Sequence, residues 1–212
     1  MPVLAQMNRS HLFYHHSVDD QPGSGNRHCH ALYEMYFFIS GSGTYYIEGS
    51  RVHLSPYTLI LMRPAAYHYF HVTGDSVYER CALHFHADIL SQEDRSFLLE
   101  TFSGRNKNPA DPVVLSVQNS PELIGAFRRM DKACLLPEDE SRAMSQAILT
   151  EILVLVMGLE RRPYPSEEPD RLVTRTLVSE IIAYLNSHLS ERLTLDRLAS
   201  AFFVSKYHLC RT

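Results

Sequence analysis

Short apolar runs separated by turn residues fill the first half of the chain, and they limit its fold more than any other feature. Between residues 32 and 85 these runs are rich in Tyr, Phe, Ile and Val, and Gly or Pro interrupts them. They include LYEMYFFIS, TYYIEGSRVHL, TLILMR, PAAYHYFHV and SVYERCALHF. Runs of this kind at near-regular spacing are typical of antiparallel sandwiches and barrels. We therefore predict an all-β barrel or sandwich for this part of the chain.

Helical patterns replace the strand pattern after about residue 90. Residues 90–99, the segment that begins at Pro121 and residues 138–160 all have apolar residues at helical spacing. The longest of these segments has one apolar stripe, formed by Met144, Ile148, Ile152, Leu155 and Leu159. Such a stripe packs either on its own domain or also on a second subunit.

A proline-rich segment divides the chain into an acidic and a basic part. Residues 161–170, RRPYPSEEPD, contain three prolines and clustered charges, and they predict a linker. The whole chain has a net charge of −4, yet residues 171–212 have six basic and three acidic residues. The acidic total alone argues against a nucleic-acid protein, but the basic C-terminal segment suits one.

Composition excludes several classes of protein. With 45% hydrophobic and 21% charged residues, the chain resembles folded globular proteins rather than disordered ones. Its longest apolar run, residues 148–159, is shorter than the about 20 residues that a membrane-spanning helix needs. The N-terminus lacks the features of a secretory signal, and the four cysteines are too scattered for a disulfide framework. We expect a cytoplasmic protein without a membrane partner.

Histidines concentrate in the predicted barrel, where some of them fall at alternate positions. Alternate side chains of a strand share a face, so His28, His30 and Glu34 are predicted to lie together. His68 follows a turn and could face them from a neighbouring strand. Three imidazoles and one carboxylate suit a divalent transition metal. Alternatively, the same histidines line a small-molecule pocket and form hydrogen bonds with one another or with Tyr hydroxyls.

The remaining barrel histidines have no predicted role. His84 and His86 share a strand face, but the alternate residues of 81–85 form the more apolar face. We therefore expect both histidines at the surface. Residues 11–16 lie in an N-terminal segment without a pattern, and we assign no function to its histidines.

Aromatic residues of the predicted strands can form the apolar walls of a ligand pocket. Aromatic side chains in strands are more often part of the core, because they pack well on a pleated surface. If His30 and Glu34 face inward, Tyr36 does so too, which makes it the best candidate for a pocket wall. The predicted effector pocket comprises His28, His30, Glu34, Tyr36, Tyr45 and His68.

The C-terminal segment contains two short helical patterns. Thr194 can cap a helix that begins at Leu195, and Ser205 can cap a second helix that begins at Lys206. Two short helices joined by a tight turn form a helix-turn-helix, whose second helix enters the major groove of DNA. An ordinary helical hairpin is the alternative.

Motifs in both halves of the chain resemble those of known families. HCHALYE, followed by Gly41 and later by Pro64 and His68, resembles the two motifs of cupin barrels, although the second motif lacks a glycine between Pro64 and His68. LTLDRLASAFFVSKYHLCR resembles the first helix-turn-helix of the AraC family of bacterial transcription regulators. Phrases such as LILMRPAAYH and ERCALHF are similar to the effector-binding domain of that family, so the resemblance covers nearly the whole chain.

The resemblance implies an α+β protein with a cupin-like antiparallel β-barrel, dimerisation helices and a partial all-α helix-turn-helix region. It implies the ranges 1–100 for the effector-binding barrel, 101–160 for the helical dimerisation region, 161–170 for the linker and 171–212 for the incomplete DNA-binding domain. The implied partners are a small-molecule effector, a second copy of the chain and promoter DNA.

The DNA contacts implied by the same resemblance lie at Lys206, Tyr207, Cys210 and Arg211. Arg211 is the best suited to read a base, because its planar guanidinium can bond guanine in the major groove. The family continues beyond this point with a second helix-turn-helix. We therefore expect the 212-residue chain to be incomplete and to bind DNA weakly or not at all.

Two other functions fit parts of the sequence. A metal-dependent cupin enzyme, such as a dioxygenase or sugar isomerase, would use Glu34 and the histidines as ligands, but it leaves residues 171–212 unexplained. A cupin sensor that acts only through protein contacts would fit the chain as given. We expect a regulator rather than an enzyme, and a divalent transition metal bound by His28, His30, Glu34 and His68 is the one conditional cofactor.

Overall fold

A computed structural model describes residues 2–20, 23–48, 50–74, 76–103, 112–161, 173–175, 181, 184–185, 188–189 and 191–210. The strands in these residues are β1 (Val3–Asn8), β2 (Leu12–Asp19), β3 (Tyr33–Ser40), β4 (Gly43–Ile47), β5 (Ser50–Leu54), β6 (Thr58–Met62), β7 (His68–Val72), β8 (Tyr78–Phe85), β9 (Val113–Ser116) and β10 (Val173–Arg175). The α-helices are α1 (Arg95–Leu99), α2 (Pro121–Ala133), α3 (Glu138–Arg161), α4 (Leu195–Phe202) and α5 (Lys206–Leu209). The predicted α+β class is confirmed.

The strands form two antiparallel sheets. A six-stranded sheet has the order β1-β2-β8-β3-β6-β9, and a four-stranded sheet has the order β10-β5-β4-β7. Between residues 32 and 85 the chain passes repeatedly from one sheet to the other, with β3, β6 and β8 in the first and β4, β5 and β7 in the second, so the two sheets face each other across a common interior. The predicted cupin-like antiparallel β-barrel is confirmed.

Both faces of the six-stranded sheet are buried. In β3 every residue from Glu34 to Phe38 is buried. Met35 and Phe37 belong to a core shared with the helices, whereas Tyr36 and Phe38 belong to a second core inside the barrel. A strand that is covered on both sides has no solvent face, so its apolar alternation does not separate inside from outside.

The prediction that His84 points to the surface is wrong for this reason. Cys81, Leu83 and Phe85 do form the apolar face of β8, but that face packs on the helices. The opposite face therefore lines the barrel interior rather than solvent. His84 lies there, directly opposite Glu34 of β3.

The N-terminal segment, for which no pattern was predicted, forms two strands of the same sheet. Strand β1 pairs with β2, and β2 pairs with β8 over its full length, from Leu12 to Asp19. His16 in β2 is buried, with 8% of its surface exposed. The sequence did not predict that this histidine is buried in a sheet.

Helices α2 and α3 cover the outer face of the six-stranded sheet. In α2 the buried side chains are Leu123, Ala126, Phe127, Met130 and Ala133. In α3 the predicted stripe is partly correct, because Ile148 and Ile152 are buried but Met144 is exposed. By length and composition α3 could cross a membrane. Its buried side chains instead contact the sheet and α2, as in the core helix of a folded domain.

Residues 101–160, predicted as helical, also contain a strand. Strand β9 pairs with β6 from Val113 to Ser116 and forms an edge of the six-stranded sheet. Its four residues are too few to carry a clear alternation. The remaining bounds proposed for the domains stay a prediction.

The C-terminal helices lie at the predicted positions. Thr194 accepts a hydrogen bond from Arg197 N at 3.2 Å, and Ser205 accepts one from His208 N at 3.1 Å, so both predicted caps are present. Phe203 takes a left-handed conformation with a φ of 56° and ends α4, which turns the chain towards α5. We call α4, the turn at Phe203 and α5 the helix pair. The predicted linker, residues 161–170, lies outside the described residues except for Arg161, which ends α3.

Candidate functional site

Four histidines surround one buried carboxylate inside the barrel. Oε2 of Glu34 lies 3.0 Å from His30 Nε2, 3.1 Å from His68 Nε2 and 3.3 Å from His84 Nε2. The ring of His28 packs against that of His68, with their centroids 4.3 Å apart. We call these five residues the histidine cluster. The structure thus brings together all four predicted metal ligands and adds His84.

The sheets and one turn position these side chains. Glu34 and His84 are direct partners on the paired strands β3 and β8. His68 begins β7, and two backbone hydrogen bonds of 3.1 and 2.9 Å join it to His28. The amide of Ala65 donates to the carbonyl of His30 at 2.8 Å, which holds the turn between β6 and β7 beside the cluster. All five residues therefore lie on fixed backbone.

Backbone carbonyls orient the imidazole rings. The Nδ1 atoms of His28 and His68 lie 2.8 Å from the carbonyl oxygens of Asn26 and Ala66, and His30 Nδ1 lies 3.2 Å from a third carbonyl. Because a carbonyl only accepts hydrogen bonds, each Nδ1 carries the proton. Each ring then directs its Nε2 into the cluster, where this atom donates to Glu34 if it carries a proton and can bind a metal ion if it does not. Metal-ligating histidines are held in the same way, with the second nitrogen donating to a carbonyl.

The charge of Glu34 depends on the histidines around it. Burial by itself would raise the pKa of Glu34, but hydrogen bonds with His30, His68 and His84 hold this pKa well below 4.5. Burial likewise acts to lower the pKa of His68, and contact with Glu34 outweighs it and raises this pKa above 6.5. The interior therefore contains an ionised carboxylate that requires positive charge beside it.

A metal ion would satisfy this requirement, and the residues fit one. The donor atoms of His28, His30 and His68 lie within 4.8 Å of one another, and so do those of His30, Glu34 and His84. His68 Nε2 is buried and makes no well-aligned hydrogen bond, although Glu34 is near. Imidazole nitrogen with carboxylate oxygen is a donor set for Zn²⁺, Fe²⁺, Mn²⁺, Ni²⁺ or Cu²⁺. His30 is common to both groups and would be the central ligand.

The two aromatic residues of the predicted pocket lie beside the cluster and are tightly packed. Tyr36 and Tyr45 are 1% and 2% exposed, and their ring centroids are 4.5 Å apart. The Tyr36 hydroxyl lies 2.5 Å from that of Tyr78, while the Tyr45 ring stacks on His68 at 6.1 Å. Burial, followed by the charge of Glu34, raises the pKa of Tyr45 well above 10.0. Their role as walls of an effector pocket stays a prediction.

Two of the predicted DNA-contact residues, Lys206 and Tyr207, lie in the first turn of α5, and Cys210 directly follows this helix. Lys206 is exposed and pairs with Asp196 of α4 at 2.8 Å. Tyr207 is 63% exposed, and Cys210 is also exposed. Arg211 lies outside the described residues. The contact assignments stay a prediction.

Two cavities, of about 470 and 410 Å³, lie where the barrel meets the helix pair. The larger one is lined by Tyr33, Met62, Arg63 and Phe102 of the barrel side and by Ser205 and His208 of the helix pair, among others. No residue of the predicted effector pocket lines either cavity. Sequence patterns could not indicate this location, because the two walls lie far apart in the chain.

Comparisons with known proteins agree with this architecture. The model of the AraC-like ligand binding domain matches residues 11–157, which is about two thirds of the chain. A cupin protein from Bacteroides fragilis is 20% identical over 39% of this chain and 72% of its own, with a TM-score of 0.35. ToxT from Vibrio cholerae is 9% identical over 95% of this chain and 74% of its own, with a TM-score of 0.48. No curated protein sequence matches the chain.

The family model begins one residue before strand β2 and ends within helix α3, so it includes strands β2 to β9, the histidine cluster, helix α2 and most of α3. This chain belongs to the family of proteins with an AraC-like ligand binding domain.

Proposed function

We propose that the protein is a transcription regulator whose barrel senses a small molecule and whose helix pair contributes to DNA binding. The observation that carries this proposal is the combination of an AraC-like ligand binding domain with a capped helix pair in one chain. A cupin barrel alone would serve many functions. Two short helices joined by a left-handed residue, with the second capped by Ser205, have the local geometry of a DNA-reading motif.

The proposed mechanism is a shift between two arrangements of the barrel and the helix pair. A ligand changes this equilibrium only if it binds one arrangement more tightly than the other. The helix pair contacts the barrel in the described arrangement, since Ser205 N donates to Glu48 Oε2 at 3.1 Å. Loss or reinforcement of such contacts on ligand binding would change how the helix pair is presented to DNA. Because this role requires access to DNA, we place the protein in the cytoplasm.

DNA binding would use the exposed side of the helix pair. Lys206 would exchange Asp196 for a phosphate, the exposed Tyr207 and Cys210 would add contacts once the helix pair leaves the barrel, and Arg211 would contact a base edge. The test is a gel-shift titration of the protein from its complete gene against promoter DNA. Binding should weaken steeply with salt, and Arg211→Ala should cost about 1–3 kcal/mol. The matched control, Arg128→Ala on α2, should leave affinity unchanged, and an equal loss in both variants would contradict the assignment.

We also propose that the protein is a homodimer that pairs through α3. The helix buries one side, but Met144 and Val154 on the other side remain 47% and 51% exposed. The small residues Ala143, Ala147 and Gly158 of the same helix are also exposed and would allow close approach of a second helix. Sedimentation equilibrium should show a dimer that Val154→Glu weakens. Val77→Glu, at a position 49% exposed in the barrel, is the control and should not change the association. A wild-type monomer would refute the pairing.

A metal-loaded barrel is the second candidate function, favoured by the three Nε2 atoms directed at Glu34 Oε2. A metal there would either help to bind the effector or support the chemistry of a cupin enzyme such as a dioxygenase or sugar isomerase. Metal analysis of protein purified without added metal distinguishes these outcomes. A stoichiometric redox metal together with turnover of a substrate would replace the regulator by an enzyme.

A further inference from the structure

The larger cavity, which we call the junction cavity, has walls from two distant parts of the chain. Barrel residues from β3, β6 and the turn after β6 form one side, and Ser205, Tyr207 and His208 form the other. Its volume of about 470 Å³ lies in the range of small-molecule sites, which is about 300–1,000 Å³. It therefore exists in this form only while α5 lies against the barrel.

The walls of the junction cavity are mostly apolar, with one unpaired cation. Tyr33 and Phe102 contact each other edge to face, with their centroids 4.8 Å apart, and Met62 lies beside them. Arg63 also lines the cavity, and among the described residues no carboxylate forms an ion pair with its side chain. A guanidinium at an apolar wall favours a ligand that has an anionic group on an apolar body.

Glu48 closes the cavity by holding α5 against the barrel. Its side chain is 5% exposed, and Oε1 accepts a hydrogen bond from Tyr67 N at 2.8 Å. Oε2 accepts hydrogen bonds from Ser205 N at 3.1 Å and from Ser205 Oγ at 3.4 Å. These three donors hold the carboxylate in place, but they are neutral groups and leave its negative charge, so an anionic ligand must pair with Arg63 in order to bind beside it.

The backbone at the cavity is strained at two positions. Glu48 has a φ of 47° and Ala65 has a φ of 63°, and both residues line the junction cavity. A left-handed conformation costs a residue with a side chain about 1–2 kcal/mol. Ala65 takes the position of a turn at which glycine is usual, between Pro64 and the amide of Ala66, which donates to Arg63 O at 3.3 Å. This turn places Arg63 at the cavity, and strain of this kind collects at ligand-binding positions.

We propose that the junction cavity binds a small organic carboxylate with an apolar body, paired with Arg63, and that this ligand stabilises the contact between α5 and the barrel. The proposal rests on the proposed function, since it names the ligand class and the location of the sensing site. A ligand that touches both walls binds only the docked arrangement, so its binding free energy favours that arrangement.

Calorimetric titration of the full chain with 2-naphthoate tests the ligand site. The probe should bind saturably, and Arg63→Gln should weaken it by about tenfold or more, because a charge-assisted hydrogen bond is lost. Arg128→Gln, an exposed arginine of α2, is the matched control and should bind as the wild type does. The uncharged analogue 2-naphthalenemethanol should bind weakly and equally to the wild type and to Arg63→Gln. Absence of saturable binding at millimolar 2-naphthoate, or equal affinity of Arg63→Gln, would overturn the site.

Hydrogen exchange of the same samples tests the coupling. 2-Naphthoate should slow exchange of the amides of residues 204–209, and Glu48→Gln should speed their exchange without ligand. Protection of residues 28–34 and 68 instead would place the ligand in the histidine cluster, which would refute the junction cavity and leave ligand sensing intact. If 2-naphthoate protects residues 204–209 but the gel-shift titration shows no DNA binding, the junction cavity is retained and the proposed regulator is refuted.

Discussion

Two buried networks of histidine and carboxylate lie on opposite faces of the same sheet, and they differ in how their atoms are matched. On the helix side, His16 uses both ring nitrogens, with Nδ1 3.0 Å from Asp131 Oδ1 and Nε2 3.1 Å from Glu79 Oε1. Tyr14 donates a further hydrogen bond of 2.8 Å to Asp131 Oδ1. Two carboxylates, those of Asp131 and Glu79, thus meet three polar atoms, and His16 Nδ1 also lies 3.1 Å from the second oxygen of Asp131. We call this set of residues the matched network.

Inside the barrel, the histidine cluster has more imidazoles than carboxylates. Three Nε2 atoms approach one oxygen of Glu34, and no second carboxylate shares them among the described residues. The matched network spreads its polar atoms over two carboxylates, whereas the histidine cluster directs three imidazoles at one oxygen, an arrangement that suits a cation. We therefore infer that the matched network stabilises the packing of α2 on the sheet, and we propose that the histidine cluster binds a ligand.

The largest expected effect comes from removing the carboxylate of the cluster. Glu34→Ala leaves the buried imidazole of His68 and the two half-buried imidazoles of His30 and His84 without their counter-charge, and it should lower the free energy of unfolding by about 3–5 kcal/mol. Urea denaturation of protein stripped of metal measures this loss. Glu34→Gln, which keeps the side-chain size, should lose less. A variant Glu34→Ala as stable as the wild type would mean that the cluster has no buried charge to balance.

A smaller loss is expected from the matched network. Asp131→Asn removes the charge that faces His16 and retains only one oxygen for two donors, so it should cost about 1–3 kcal/mol. The same urea titration measures it, with Asp139→Asn at an exposed position of α3 as the control. If added zinc raised the melting temperature less in Asp131→Asn than in the wild type, the two networks would not be separate in function.

The smallest effect is a difference in pH dependence. Burial acts to lower the pKa of His16, but hydrogen bonds with Asp131 and its neighbours raise it to about 10. This stabilisation is complete below the unfolded pKa of about 6.5, falls as the pH rises, and is lost above about pH 10. The lowered pKa of Glu34 works in the opposite sense, since its stabilisation is present above 4.5 and is lost in acid.

Unfolding free energies of the wild type and of His16→Gln, measured from pH 5 to 10, check this difference. The gap between the two proteins should be widest at the acid end and should close towards pH 10. A gap that widens with pH would reverse the sign of the His16 contribution. Glu34→Gln should differ most from the wild type at neutral pH and should approach it as the pH falls.

The barrel strands between residues 32 and 85 and the helices α2 and α3 could be predicted, because apolar spacing and turn residues determine them locally. Strand β2 could not, because His16 and Ser17 are buried in it and interrupt the apolar pattern. His84 was assigned to the wrong face for a related reason, since the sheet is covered on both sides. In both cases a polar side chain is buried because a distant partner satisfies it.

In the candidate site, too, the features that depend on local sequence could be predicted and those that depend on distant contacts could not. The sequence correctly predicted that His28, His30, Glu34 and His68 meet. The reason given was wrong for two of them, because His28 and His30 lie before β3, which begins at Tyr33, and reach the cluster through backbone contacts with residues 65–68 instead. The junction cavity depends on contacts such as that between Glu48 and Ser205, which are 157 positions apart. A contact between such distant positions leaves no local sequence pattern. The positive φ angles of Glu48 and Ala65 likewise have no sequence signal, because neither residue is a glycine.

Strand β10 has a consequence for the stability of the barrel in solution. It pairs with β5 from Val173 to Arg175 and so covers an edge of the four-stranded sheet. Without it, the amides and carbonyls of β5 would be open to a strand from another molecule, which is a common route to aggregation. Strand β10 therefore protects the barrel against association with other molecules through this edge.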